Sequence, residues 1–222
     1  MTAWRTRAEN LVARLAETGA VRDRAWRAAF AGTPRHVFVP RFYALDRYAQ
    51  PRTLLDGAEP GQRETWLDAV YSDDVLVTHF ETIDGALLPD GQPVRIATSS
   101  ASMPRIVAVM LDRLQVADGH RVLEIGTGTG YNAALLCARL GDDKVTSVEV
   151  DPATAAEAAG HLAEAGYRPT LVVGDGAAGH ADGAPYDRII ATCAVSRTPA
   201  AWIEQLADDG VIVAPLTLQG GL

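Results

Sequence analysis

The stretch Arg121-Val122-Leu123-Glu124-Ile125-Gly126-Thr127-Gly128-Thr129-Gly130-Tyr131 restricts the fold more tightly than any other part of the chain. An apolar run, Val122 to Ile125, feeds a loop with glycine at every second position. A small-residue apolar segment, Asn132 to Leu140, follows and reads as a helix. The order is strand, tight turn, helix N-terminus. Glycines there let the backbone take positive φ and let a ligand approach the main chain closely. Several nucleotide-like ligands use this layout, so the spacing has to discriminate. The dinucleotide fingerprint needs a small residue where Tyr131 stands, because helix and strand pack closely at that point. What is present instead is Glu-x-Gly-x-Gly-x-Gly, with Glu124 ahead of the first glycine.

Around this stretch strands and helices alternate. Five strands are predicted at 122–125, 145–150, 170–173, 187–193 and 211–215, with helices at 152–165 and 199–206 between the later ones. That alternation implies a doubly wound, mainly parallel α/β sheet. A helix is expected directly after Pro104, carrying Ile106, Val107, Val109, Met110, Leu111 and Leu114. Upstream the pattern is less regular. Residues 4–18 form an amphipathic helix, 21–31 a second one, and 74–78 a short strand. Residues 35–40, apolar and ended by Pro40, lead into an aromatic stretch with Phe42, Tyr43 and Tyr48. The Pro, Gly and Asp content of 51–61 and 84–92 reads as loop. Two units result: a helical, loop-rich cover over residues 1–100 and the α/β core over 101–222.

Ligands of open parallel sheets bind at the carboxyl ends of the strands. Strand one ends in Glu124, Gly126, Thr127, Gly128, Gly130 and Tyr131. Strand two ends in Glu149 and Val150, with Glu149 19 positions after Gly130, and strand three in Asp175 and Gly176. An ionised carboxylate is acceptor-only, so Glu149 suits two vicinal ribose hydroxyls, and Asp175 an adenine amine. Acids around the loop suit a sulfonium better than a pyrophosphate. The pattern resembles the first motif of Rossmann-type S-adenosylmethionine-dependent methyltransferases, and S-adenosyl-L-methionine is the expected cofactor. Methyltransferases of that type have seven strands, the last two an antiparallel hairpin. Here Gln219-Gly220-Gly221-Leu222 stand about where the hairpin would begin, so the expectation is a truncated chain or a differently built edge.

Four stretches together resemble protein-L-isoaspartate O-methyltransferases, in the order that family has them. They are Arg35-His36-Val37-Phe38-Val39-Pro40, the glycine loop, Gly174-Asp175-Gly176, and Ala184-Pro185-Tyr186-Asp187-Arg188-Ile189-Ile190. The resemblance covers about residues 35–215. It implies methyl transfer to an aspartyl-type side-chain carboxylate of a peptide or protein. The family's substrate motif, Thr-Ile-Ser-Gln-Pro, reads Ser100-Ala101-Ser102-Met103-Pro104 here. Ser102 matches, Ser100 keeps the hydroxyl of the threonine, and Met103 loses the amide. The resemblance thus implies that Ser102, with Ser100, orients the substrate carboxylate. Taken on its own, a serine two residues before a helix-starting proline is equally a helix cap. The segment before this motif is longer than in the repair enzymes. The wording Thr98-Ser99-Ser100-Ala101-Ser102-Met103-Pro104 looks more like members that act in ribosomal-peptide biosynthesis, on an aspartate that then closes to an aspartimide. Three readings therefore stand: a peptide-modifying O-methyltransferase, an isoaspartate-repair enzyme, and a non-catalytic module that binds the cofactor or a peptide.

Other classes fit less well. A net charge of -8 with no basic run disfavours a nucleic-acid partner. The Asn-Pro-Pro-Tyr type of motif used in amino methylation is absent after strand four, where Ala191-Thr192-Cys193-Ala194 stands. The histidines show no metal-ligand spacing, so no metal is expected. His79 lies in the cover and is a candidate substrate contact. No apolar run approaches membrane-spanning length, and the N-terminus has no apolar signal core, so a cytoplasmic protein with no membrane partner is expected. Cys137 and Cys193 are expected to be buried and unpaired.

Overall fold

The computed structural model describes residues 3–46 and 49–217. Five parallel strands form the central sheet: β5 (Val122–Ile125), β6 (Val145–Glu149), β7 (Thr170–Val173), β8 (Tyr186–Ala191) and β9 (Leu206–Val213). Their spatial order is β7-β6-β5-β8-β9, all neighbours parallel. The chain moves outward from β5 to β6 and β7, then returns to the other side of β5 for β8 and β9. This reversal puts the topological switch point at the carboxyl end of β5, where a crevice opens and the glycine loop begins.

Local chemistry explains the flanking helices. In α5 (Pro104–Leu114) the residues Val107, Ala108, Leu111 and Leu114 are buried, an i, i+1, i+4, i+7 stripe. Helix α6 (Tyr131–Leu140) is buried through its first seven residues. Helix α7 (Pro152–Ala165) starts at Asp151, whose carboxylate accepts from the N–H groups of Ala153 and Thr154. Pro152 stands at its first turn, and Gly166 ends it at φ 90°. Helix α8 (Ala200–Glu204) buries Trp202, which packs with Leu123, Ile125, Val148, Tyr186 and Ile189 on one face of the sheet.

On the other face the core is shared with the first third of the chain. Helices α1 (Ala3–Glu17), α2 (Arg24–Gly32), α3 (Arg35–Phe38) and α4 (Arg63–Val70) contribute Leu11, Leu15, Phe30, Phe38 and Trp66 to a cluster that continues into α5 and α6. Phe38 has no exposed surface. Its ring meets Tyr131 at 5.7 Å and His161 at 6.3 Å, so the cover and the α/β core are packed as one body.

The cover departs from its expected make-up. It holds a four-stranded antiparallel sheet in the order β2-β1-β3-β4, built from β1 (Arg41–Leu45), β2 (Pro51–Asp56), β3 (Leu76–Leu87) and β4 (Pro93–Ala101). Residues 51–56 and 84–87, expected as loop, are strand. Most positions of β2, β3 and β4 are exposed or half-buried. With neither face fully buried, no period-2 pattern is imprinted on the sequence. At the other end β9 starts at Leu206 rather than 211, across a register shift between Tyr186 and Arg188. Cys137 is buried as expected, but Cys193 is exposed, because β8 ends at Ala191. Tyr48 and Gln219-Gly220-Gly221-Leu222, where an edge hairpin was expected to begin, lie outside the described residues.

Truncating Phe38 to alanine removes the ring that joins the two parts. We expect Phe38→Ala to lower stability by about 3–5 kcal/mol. Urea unfolding followed by tryptophan fluorescence and far-UV circular dichroism should remain a single transition. Two separated transitions would show that the cover and the sheet fold independently.

Candidate functional site

The glycines of the loop serve two purposes. Gly126 and Gly130 have φ of 89° and 88°. A Cβ on Gly126 would lie 2.8 Å from Thr192 Oγ1, and one on Gly130 would lie 3.3 Å from Leu162 Cγ and 3.4 Å from the Ala158 carbonyl oxygen. Positive φ and tight packing together disfavour a side chain at both. Gly128 also has positive φ, 53°, but a Cβ there would meet nothing within 4 Å. Its outer side is open space against bare backbone, which is what a ligand lying on the loop needs.

The loop rests on a buried polar network. Glu124 has no exposed surface. Its Oε1 accepts from Asn132 Nδ2 at 2.7 Å and its Oε2 from the Ser147 hydroxyl, which also pairs with Thr127 Oγ1 at 2.6 Å. Burial pushes the Glu124 carboxyl up to about 7 against the opposing pull of Ser147 and Asn132, and the nearby Glu149 charge adds to the rise. Thr192 closes the loop from the β8 side, its hydroxyl donating to the Gly126 carbonyl at 2.5 Å.

At the rim, Glu149 Oε2 accepts from Gly128 N at 2.9 Å, and Oε1 from Val150 N at 3.0 Å and Asp151 N at 3.2 Å. Asp175 is exposed and accepts from Ala177 N at 2.9 Å. Neither carboxylate forms an ion pair among the described residues. Val150 and Val173, exposed at 69% and 55%, give the ends of β6 and β7 an apolar surface beside these acids. Gly176 belongs to the packing: a Cβ there would strike Ile125 at 2.4 Å, and its carbonyl accepts from Trp202 Nε1 at 2.7 Å.

Ser102 stands between β4 of the cover and α5 of the core, at the same edge. Helix α5 runs back along the sheet into β5, so its N-terminus lies at the carboxyl end of the strands. Ser102 is half-buried, and among the described residues its hydroxyl has no hydrogen-bond partner. It is not a cap. Met103 is the N-cap residue without a side-chain bond, and Asp73 Oδ1 takes the Arg105 N–H at 2.8 Å instead. Ala101, 3% exposed, points into the core, while Ser100 is exposed on β4 opposite Val77. His79 is exposed on β3 and near enough to Asp151 to add to the pull that holds this carboxyl below the usual range, after the Thr154 hydroxyl and the backbone N–H groups. The β3–β4 hairpin thus borders the cleft.

The segment Ser102–Pro104 is held from below by Arg35. This guanidinium is wholly buried. Its Nη1 donates to the carbonyls of Val70 at 2.5 Å and Ser72 at 3.2 Å, and its Nη2 to those of Ser102 at 3.0 Å and Asp74 at 3.4 Å. It also lies 5.7 Å from the Tyr131 ring centroid.

Of the residues expected to hold a cofactor, the structure brings Gly126, Gly128, Gly130, Glu149, Val150, Asp175 and Gly176 to one edge. Glu124, Thr127 and Tyr131 are set deeper than the others. They are 0%, 5% and 4% exposed and lie beneath that edge as its support. Tyr131 packs between Phe30 and Phe38, facing the cover rather than the cleft. Residues not singled out from the sequence, Asn132, Ser147, Val173 and Thr192, complete the loop's surroundings. The only available signal was the position of the last two at strand ends. Among the described residues no group of His, Cys, Asp and Glu could hold a metal ion, and no helix is long and apolar enough to cross a membrane.

Comparison with known proteins places the chain in a group. The family model for protein-L-isoaspartate(D-aspartate) O-methyltransferase matches residues 63–221. The protein-L-isoaspartate O-methyltransferase of Ignicoccus hospitalis is 39% identical over 127 residues, covering 56% of this chain and 60% of that protein. That of Methanococcus vannielii is 29% identical over 209 residues, covering 93% and 81%. The chain spans about half to three fifths of the length of the first curated relatives it matches. A solved protein-L-isoaspartate O-methyltransferase superposes with a TM-score of 0.68 at 29% identity, over 94% of this chain and 55% of the other. A Plasmodium falciparum structure described as a putative member, with S-adenosyl-L-homocysteine, gives 0.65 at 14% identity over 96% and 85%, a likeness of fold alone.

The raised Glu124 carboxyl has a sign that can be tested. A carboxyl whose folded pKa lies above its unfolded value of about 4.5 favours folding most below that value, and the contribution is lost as pH rises towards about 7. Glu124→Gln keeps an acceptor for Asn132 and removes the titration. Its stability relative to wild type should rise between pH 5 and pH 8 by about 1–3 kcal/mol in thermal or urea unfolding. A difference independent of pH would mean that Glu124 does not titrate in this range.

Proposed function

The chain belongs to the protein-L-isoaspartate(D-aspartate) O-methyltransferase family, and from that premise we propose that it methylates an aspartyl-type side-chain carboxylate, with S-adenosyl-L-methionine as methyl donor. One observation carries the reading. An open glycine turn ringed by acceptor-only carboxylates and a serine hydroxyl with no hydrogen-bond partner among the described residues lie at the same sheet edge. The donor set fits the cofactor. Glu149 and Asp175 suit hydroxyl and amine donors, the exposed Val150 and Val173 suit the face of an aromatic base, and the absence of a paired cation there suits a sulfonium. When bound, the cofactor supplies an activated methyl group on positively charged sulfur.

The chain's own residues then have a modest task. An aspartyl carboxylate, with an unperturbed pKa of about 3.9, is ionised at neutral pH and needs no general base. The Ser102 hydroxyl donates to one carboxylate oxygen and leaves the other free to react, while the glycine turn and Glu149 hold the donor side. Alignment of this kind is worth up to about 7–11 kcal/mol. The relatives' names favour an isoaspartyl residue in a protein as substrate. A second reading has an ordinary aspartate of a ribosomally made modified peptide as substrate. It is supported by Ala101 and Met103 in the substrate motif and by the β3–β4 hairpin beside the cleft. In that case the next backbone nitrogen attacks the ester carbonyl carbon, the C–OCH3 bond breaks, the N–H proton leaves with methoxide as methanol, and a five-membered aspartimide forms.

Intact-mass analysis with S-adenosyl-L-methionine separates these readings. A gain of one methylene, about 14 Da, is expected on an isoaspartyl peptide for a repair enzyme. A gain followed by loss of methanol, on an aspartate-containing precursor peptide alone, is expected for a peptide modifier. No gain on either, with S-adenosyl-L-homocysteine still bound, would leave only a binding module. Ser102→Ala is expected to lower kcat about 10²-fold while the affinity for S-adenosyl-L-homocysteine, measured by calorimetry, stays within twofold. Full activity in that variant would remove Ser102 from the site.

A further inference from the structure

We propose that Arg35 is a positioning residue for this reaction: it sets Ser102 against the glycine-loop helix and supplies the positive charge that the substrate carboxylate faces. The inference rests on the reading of Ser102 as the carboxylate contact. It begins from an anomaly. Arg35 is the only buried lysine or arginine among the described residues, and it forms no ion pair. Asp73 and Asp74 act on it only at longer range, and the Asp73 carboxylate is already engaged by the Arg105 guanidinium at 2.8 Å. Burying an uncompensated charge costs several kcal/mol, and an apolar side chain of similar volume would cost nothing of the kind. Burial pulls the guanidinium below its ordinary value, but arginine starts high enough to stay protonated at neutral pH.

What the guanidinium touches explains the expense. Its four hydrogen bonds go to carbonyls of Val70, Ser72, Asp74 and Ser102. Those residues come from the end of α4, the turn after it, and the strand-to-helix corner that presents the serine hydroxyl. The same group lies over Tyr131, the first residue after the glycine loop. Arg35 is therefore the side chain that joins the serine corner directly to the start of α6. A planar fork with several donors can define such a corner, and a single ammonium cannot. The carbonyls orient the cation but do not cancel its net charge. A chain of net charge -8, with Glu149 and Asp175 at the same edge, would otherwise repel an anionic side chain. A buried cation behind Ser102 is weakly screened by salt and offsets that repulsion where the carboxylate has to sit.

Two variants separate alignment from charge. Arg35→Lys keeps the charge and loses the fork; it should lower kcat about tenfold and leave the peptide KM within threefold. Arg35→Gln loses both; it should lower kcat similarly and raise the peptide KM at least tenfold. Affinity for S-adenosyl-L-homocysteine should stay within threefold in both. A wild-type kcat in Arg35→Lys, an equal KM in the two variants, or a loss of cofactor affinity as large as the loss of activity would overturn the proposal. A wild type that transfers no methyl group would instead sink the functional reading beneath it. Should the variants not fold, nitrogen NMR of the Arg35 guanidinium in the wild-type complex with S-adenosyl-L-homocysteine decides. Its resonances should shift when an isoaspartyl or aspartyl peptide binds and stay in place with the matching amide peptide. Equal shifts for both, or none, would overturn it.

Discussion

The carboxyl edge of the parallel sheet is built on one carboxylate with no exposed surface, Glu124. It sits mid-strand in β5, between two neighbouring strands and under α6, so water cannot solvate it. Ser147 from β6 and Asn132 from α6 occupy its oxygens, and Ser147 passes the network on to Thr127 in the loop. Three separate elements are thereby locked to the turn that a ligand would approach. A network of this kind is stiff because every member is satisfied, and losing one would strand a buried polar group. The exposed residues above it, Glu149 and Asp175, inherit their positions from this foundation.

The cover is attached by a different kind of bond. Phe30, Phe38 and Tyr131 form an aromatic contact between the N-terminal helices and the start of α6. Arg35, three residues before Phe38, collects backbone carbonyls from segments 35 to 67 positions away. One short helix, α3, thus carries both the apolar and the polar half of the attachment. This accounts for the run Arg35-His36-Val37-Phe38-Val39-Pro40. Arg35 and Phe38 are fully buried, Val39 closes the core, and His36 bonds Tyr71 Oη at 2.8 Å.

How much could be read in advance followed burial. Strands β5 and β6 and helices α5 and α7 carry buried stripes, and their patterns announced them to within a residue or so. The antiparallel sheet of the cover did not announce itself, because most of its positions face solvent and nothing selects alternation. The carboxyl-edge residues were legible because spacing from the glycine turn places them: Glu149 and Asp175 follow from strand ends. Ser102 was legible only as a match to a family motif, since a serine before a helix-starting proline is ambiguous by itself. The cap bond is made by Asp73 from another segment, so capping does not account for the serine.

Local sequence alone determined the parallel α/β layout, the position of the glycine turn, and the kind of ligand its neighbouring acids suit. Each of these depends on periodicity or on a residue's own backbone freedom, which a linear chain expresses directly. Tertiary structure alone decided which acids face the cleft and which lie under it. Glu124 and Glu149 look alike in the chain, but one is sealed between strands and helix and the other reaches the rim. It also decided that Arg35 belongs with Ser102. That pairing is a matter of carbonyls from distant segments converging on one buried cation, and convergence of this kind leaves no mark in the order of residues.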